Sequence, residues 1–362
     1  MRLAFVWHWY KRTSPELAGA FAAEDTLIKA IGRLTNEGEQ TVIFALAKEP
    51  YAVGHTFNKR QGIWYTLVPD RETLLSEVCC FDPDMILLNH HPFNYDDILQ
   101  GITKLRAKKA IYYSAPVSSH PMTQAFDAFI VQHSYQADQL IGLGIDACKI
   151  HVAPKTADLD CFYPIKGTTK KWDCIYPVRG GFGYWKRVEL AVEACRLIGT
   201  NIVLPGANIP GTLNNDPVSM QRHVAHRCLL LWRKITSRSD KLQEFPCMTT
   251  LSWQTPEELS KIYNQSRCFV ITSNNVEMGP RVIPEAAACN LPIVCCSDSR
   301  ACVSHANVLG GLIAKPNPRD IASKIKLALS LTPNSRQLLL DAGLDTWVIY
   351  RLFKQLFEEW RA

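Results

Sequence analysis

The stretch Glu277-Met-Gly-Pro-Arg-Val-Ile-Pro-Glu285, followed by Ala-Ala-Ala-Cys-Asn-Leu-Pro-Ile-Val294, sets two carboxylates eight positions apart across a turn that should open a helix. Carboxylates so placed at the mouth of an α/β sheet can each accept hydroxyls of one bound ligand, for example those of a sugar and of a ribose. A helix start beside them offers unpaired backbone N–H groups and the positive end of a dipole, which suits phosphate. The combination points to a nucleotide-sugar site. The spacing alone is a weak signal, because the same dipole favours Glu in any first helical turn.

A second constellation adds weight. Val178-Arg-Gly-Gly-Phe-Gly-Tyr-Trp-Lys-Arg187 follows a strand-like run and precedes a helical one. Glycines allow a backbone to approach a phosphate closely, and Arg and Lys supply charge-assisted hydrogen bonds to it. The loop is neither a Walker A sequence nor a G-x-G-x-x-G fingerprint, which disfavours those two nucleotide modes. An ordinary glycine-rich turn with solvated basic residues fits the same letters.

The elements that must position these residues are legible as alternation. Leu3–Trp7, Thr41–Leu46, Met85–Asn89, Lys109–Tyr113 and Ala128–Gln132 are short apolar runs suited to buried parallel strands. Ala22–Leu34, Arg71–Val78 and Tyr135–Ile141 lie between them as amphipathic helices. A second series begins at Trp172–Tyr176 and continues through Asn201–Leu204, Thr249–Leu251, Cys268–Thr272, Ile293–Cys296 and Gly311–Ala314. The pattern predicts two doubly wound α/β domains with a boundary near 165. An amphipathic final helix, Trp347 to Trp360 with Val348, Leu352 and Leu356 on its apolar stripe, is expected to pack back on the first domain.

A chain of 362 residues with 47% hydrophobic and 20% charged residues is long enough for two globular cores. No run has the length of a transmembrane helix, and Met1–Trp7 reads as a strand rather than a signal peptide. The thirteen cysteines are scattered, with no Cys-x-x-Cys pair, so free buried thiols in a reducing cytoplasm are expected rather than zinc or a disulfide framework. Residues 1–160 carry 15 Lys+Arg against 18 Asp+Glu, whereas the remainder carries 25 against 16. Capacity for anions therefore belongs to the second half.

Together the loop and the glutamate pair resemble the retaining glycosyltransferases of family 4 (group 1), which have the GT-B architecture of two Rossmann-like domains facing a central cleft. The family's E-x7-E motif matches Glu277 and Glu285, and its phosphate-holding Arg and Lys match Arg179 and Lys186. Its interdomain segment is similar to Pro154-Lys-Thr-Ala-Asp158-Leu-Asp-Cys-Phe162-Tyr-Pro164. The resemblance implies residues 1–164 as acceptor-binding domain, 165–345 as donor-binding domain and 346–362 as a returning helix. It implies that Arg179 and Lys186 hold the donor diphosphate, Glu277 contacts the donor sugar and Glu285 takes the ribose hydroxyls. The backbone of Met278, Gly279, Pro280, Arg281 and Val282 would line the sugar and phosphate, with Gly180 and Gly279 permitting close approach.

The activity so implied is transfer of a sugar from a nucleoside diphosphate sugar to an acceptor hydroxyl with retention. In this family front-face attack is the usual proposal, the leaving phosphate taking the acceptor proton, with no cofactor and no bound metal. A saccharide or lipid-linked glycan is the default acceptor. Transfer to a modified DNA base is an alternative, motivated by the basic second half, and a non-catalytic partner subunit is another.

Three departures from the family matter. Lys155-Thr156 replaces the usual Asn-Gly, Leu17-Ala-Gly19-Ala-Phe-Ala has one glycine where the family often has two, and Ser114-Ala115-Pro116 stands where many members have a His. His90, His91 and His120 are the candidates to line the cleft instead.

Two further segments are left open. The run Arg222–Arg238 has a basic face opposite Val224, Cys228, Leu231 and Ile235; such a helix can touch an anionic membrane or a nucleic-acid backbone, or simply pack on its own domain. Trp7-His-Trp-Tyr-Lys-Arg12 follows the first strand, where a doubly wound domain places its crevice, and suits sugar rings, bases or plain loop packing. The expected location is the cytoplasm, with peripheral membrane contact admitted.

Overall fold

The computed structural model describes residues 1–10, 25–47, 53–58, 63–90, 96–113, 117, 124–178, 186–208, 247–252, 254–275, 277 and 279–361. The chain divides into two compact units, Met1–Pro154 with Trp347–Ala362, and Lys155–Thr346.

Among the described residues the first unit is built on eight strands: β1 (Arg2–Tyr10), β2 (Gln40–Ala47), β3 (Gly54–Asn58), β4 (Ile63–Val68), β5 (Met85–His90), β6 (Lys108–Tyr113), β7 (Ala128–Val131) and β8 (Ile150–Val152). Their order is β3-β4-β2-β1-β5-β6-β7-β8, and only the β3–β4 pair is antiparallel. Alternate residues of β1 serve opposite faces. Leu3 and Phe5 join one core with Leu27 and Ile31 of the helix Asp25–Asn36, while Ala4 and Val6 join the other with Leu74 and Val78 of the helix Arg71–Phe81. Burial on both faces explains why these strands are continuous apolar runs. Asp70 caps the helix Arg71–Phe81 by accepting the Thr73 N–H at 2.8 Å, satisfying a donor that the first turn leaves unpaired.

The terminal helix Val348–Arg361 lies on this unit. Ile349, Tyr350, Phe353, Leu356 and Phe357 enter its core, with Val348 and Leu352 only partly buried at the side. The buried stripe is therefore displaced by one residue from the Val348–Leu352–Leu356 line, because the aromatic residues bury the larger area. Tyr350 donates to the Glu37 carboxylate at 2.6 Å, and the Arg33 guanidinium sits 4.3 Å from the Tyr350 ring centre.

Among the described residues the second unit has six strands, all parallel: β9 (Trp172–Ile175), β10 (Ile202–Asn208), β11 (Met248–Ser252), β12 (Ser266–Ile271), β13 (Ile293–Cys296) and β14 (Leu312–Ala314). Their order is β11-β10-β9-β12-β13-β14. The chain winds outward from β9 through β10 to β11, then returns to lay β12 on the other side of β9. Ligands of such sheets bind outside the carboxyl ends of the strands at that reversal.

Residues 155–164 belong to this unit by their hydrogen bonds. Leu159 N–H donates to Thr346 Oγ1 at 2.9 Å, and Asn264 Nδ2 donates to the Tyr163 carbonyl at 2.9 Å. Phe162 is buried with its ring edge-on to Tyr263. The division into compact units falls between Pro154 and Lys155.

Candidate functional site

The two sequence motifs meet at the reversal point of the second sheet. β9 runs out into Tyr176, which is fully buried, and its hydroxyl donates to the Lys186 carbonyl at 2.7 Å while lying 3.1 Å from Ser273 Oγ. Burial pushes the Tyr176 phenol well above its ordinary pKa, so it remains a neutral donor. β12 runs out into Thr272, whose hydroxyl lies 3.0 Å from the Lys186 carbonyl and 2.8 Å from that of Arg187. The ends of two neighbouring strands are thus stitched to the backbone around Lys186.

Lys186 and Glu277 form an ion pair there, with 13% and 16% of their side chains exposed. Ser273 Oγ donates to the same Glu277 oxygen at 3.3 Å. Nearby, the Glu277 N–H closes a turn on the Asn274 carbonyl at 3.0 Å, which fixes the carboxylate just past the end of β12. A cation and a carboxylate shielded from water in this way interact more strongly than a surface pair, at the cost of partial desolvation.

Glu285 sits one helix further in. The helix Val282–Ala288 follows Gly279, whose φ of +150° suits a residue without a Cβ, and buried Pro280. The Glu285 carboxylate is 0% exposed. Tyr263 donates to Oε2 at 3.2 Å, and Arg281 Nε approaches Oε1 to 2.9 Å. The Arg281 contact has ion-pair distance without hydrogen-bond geometry, so Oε1 keeps acceptor capacity unused. Phe162 of the interdomain segment packs on the same Tyr263 ring at 6.0 Å. The helix start itself is a poorer source of amides than the sequence leads one to expect. The Ile283 N–H is taken by the Pro280 carbonyl at 3.1 Å, and Pro284 has none.

Arg187 was not singled out by the sequence. It holds a left-handed backbone (φ 47°, ψ 43°) immediately before the helix Val188–Ile198. Its guanidinium grips Asp298 with two bonds of 2.7 and 2.8 Å and donates to the Thr272 carbonyl at 2.8 Å and the Ser273 carbonyl at 3.3 Å. Burial opposes its charge, but the bonds to Asp298 outweigh this and raise its pKa. No local pattern announces such a residue, because its partners lie 85 to 111 positions away.

Arg179, Gly180 and Met278 lie outside the described residues, as do His91, His120, Ser114-Ala115-Pro116, Leu17–Ala22 and the basic run Arg222–Arg238. His90 ends β5, its side chain undescribed. Among the described residues no group of three or more His, Cys, Asp or Glu is arranged to hold a metal, and no helix is long and apolar enough to cross a membrane. None of the twelve described cysteines is in a disulfide, and seven of them are buried.

Residues 244–340, which contain both glutamates, match the family model of glycosyl transferases group 1. The chain also aligns over 99% of its length with solved structures. One is a sucrose-phosphate synthase from Thermosynechococcus elongatus, at 16% identity, TM-score 0.72 and 98% of that chain. A second is a glycosyltransferase from Rickettsia africae, at 13% identity, TM-score 0.74 and 98% coverage. A third is Anabaena HepE in complex with UDP and glucose, at 13% identity, TM-score 0.70 and 100% coverage. The fold is GT-B. The group 1 match falls on the second unit, where Glu277 and Glu285 stand, and agrees with the resemblance carried by those two residues. Comparison with curated protein sequences returns no match.

Proposed function

We propose that the chain is a retaining glycosyltransferase that moves a sugar from a nucleoside diphosphate sugar to an acceptor hydroxyl, the acceptor being a saccharide or a lipid-linked glycan. The observation that carries this reading is the Lys186–Glu277 pair at the reversal point of the second sheet, with Glu285 buried one helix behind it. The second unit is then the donor domain and the first the acceptor domain. Relatives of the same fold in complex with UDP and UDP-glucose support a uridine diphosphate sugar as the first donor to try.

In this reading Lys186, with Arg179, meets the donor diphosphate. Negative charge grows on the β-phosphate as the glycosidic bond breaks, and a fixed ammonium in a partly dry site stabilises it most at that moment. Glu277 accepts sugar hydroxyls. The unused acceptor capacity of Glu285 Oε1 suits a ribose hydroxyl that supplants the Arg281 contact. Attack by the acceptor on the face the phosphate leaves gives retention, the phosphate oxygen taking the acceptor proton.

The test is to incubate the protein with UDP-glucose and follow the anomeric protons of the released or transferred glucose by NMR. First appearance of the α anomer from this α-linked donor is expected. The β anomer would overturn retention. Binding without any turnover, with water or across a saccharide acceptor panel, would favour a non-catalytic partner role instead.

A further inference from the structure

Arg187 makes more contacts into the candidate site than starting a helix requires. The left-handed region is unfavourable for a residue with a Cβ, and here it is retained at the residue that follows Lys186. From that backbone the Arg187 guanidinium reaches the Thr272 and Ser273 carbonyls just past the end of β12. Asp298 locks the guanidinium from the far side with two bonds. The Thr272 hydroxyl returns the contact to the Lys186 and Arg187 carbonyls, and Ser273 Oγ reaches Glu277. The Arg187 donors therefore point at protein rather than at the place a donor would occupy.

We propose that Arg187 is a positioning residue of the donor site, acting through Lys186: the Arg187–Asp298 fork fixes the backbone from which Lys186 reaches the donor diphosphate. The proposal rests on the donor-site reading above. It separates Arg187 from a phosphate ligand, which would touch the donor itself. It also separates it from a purely structural arginine, whose loss would affect folding without regard to Lys186.

A double-mutant cycle tests it. Titration calorimetry is run on the full chain with whichever of UDP, GDP, ADP and thymidine diphosphate the wild type binds most tightly. The variants are Arg187→Lys, which keeps the charge but not the fork, and Asp298→Asn, which loosens the fork without touching residue 187. Each is made in the wild-type and Lys186→Ala backgrounds, with thermal midpoints recorded throughout. Binding is expected to weaken about tenfold for either variant when Lys186 is present and less than about twofold when it is absent, as coupled residues behave. Equal losses in both backgrounds, or no loss with Lys186 intact, would overturn the proposal. Should the wild type bind none of the four nucleotides, the donor-site reading falls and the positioning role falls with it.

Discussion

Lys186 and Glu277 form an ion pair across the ends of two neighbouring parallel strands, although 91 positions separate them in the chain. Each is a group that a nucleotide sugar would recruit for itself. Glu277 competes with a phosphate for the ammonium, and Lys186 competes with sugar hydroxyls for the carboxylate. Glu277→Gln should therefore bind free nucleoside diphosphate as tightly as the wild type or somewhat more tightly, while transfer falls about 10²–10³-fold, the range for losing one transition-state contact. Lys186→Ala should weaken both, with binding still measurable. Parallel calorimetry and initial-rate assays separate the two patterns, and a Glu277→Gln protein that transfers at the wild-type rate would remove Glu277 from the chemistry.

The buried Glu285 carries a stability consequence as well. Replacing it by Ala leaves the Arg281 guanidinium beside a hole and removes one acceptor of the Tyr263 hydroxyl, which also donates to the Val282 carbonyl at 3.2 Å. Breaking one side of a buried pair costs about 3–5 kcal/mol. Glu285→Gln keeps an acceptor for Tyr263 and should cost clearly less. Urea unfolding of the two variants checks the order, and Gln is the variant to use when ribose contact is assayed.

Acid should loosen the terminal helix from the first unit. The Tyr350 hydroxyl, opposed by burial and helped by Arg33 and Lys354, holds the Glu37 carboxyl below its ordinary value of 4.5. A lowered folded-state pKa means the contribution is complete above the unfolded value and is lost as pH falls through the folded one. Tyr350→Phe should therefore flatten the acid side of the stability profile and change little near neutrality beyond a constant offset. Thermal midpoints between pH 3 and pH 7 would show it, and an unchanged acid slope would speak against the pair.

Phe353 tests the same docking through its apolar side. It is 0% exposed in the core shared with helix Asp25–Asn36. Phe353→Ala should cost about 3–5 kcal/mol and be seen as a lower urea midpoint. A surface position on the same helix, such as Gln355→Ala, should change stability by less than about 0.5 kcal/mol.

What the sequence discloses follows from how local each signal is. Parallel strands buried on both faces, such as β1, β5 and β13, carry unbroken apolar runs (Leu3–Trp7, Met85–Leu88 and Ile293–Cys296) and can be read directly. β3 (Gly-His-Thr-Phe-Asn) is a short antiparallel strand at the sheet edge with no apolar run, and the sequence reading passes over it along with β4 and β8. The glutamate pair is legible because both residues lie in one turn-and-helix segment. Its partner Lys186 is legible only through the loop that carries it and through family resemblance. Arg187 is illegible, since its bonds to Thr272 and Ser273 and its fork to Asp298 exist only once β12 and β13 are brought alongside β9. The depth of Glu285 is hidden for the same reason, since Tyr263 reaches it from another helix, 22 positions earlier in the chain.

The most direct test of the account is whether the second unit holds a nucleotide through Lys186 and Glu285. UDP, GDP, ADP and thymidine diphosphate, with their glucose derivatives, would be titrated into the wild type, Lys186→Ala and Glu285→Gln by calorimetry. One nucleotide is expected to bind selectively, and each substitution to weaken it at least about tenfold, a loss of roughly 1.4 kcal/mol. Absence of binding across the panel, or binding indifferent to both substitutions, would contradict the donor site and leave GT-B as a fold without this function.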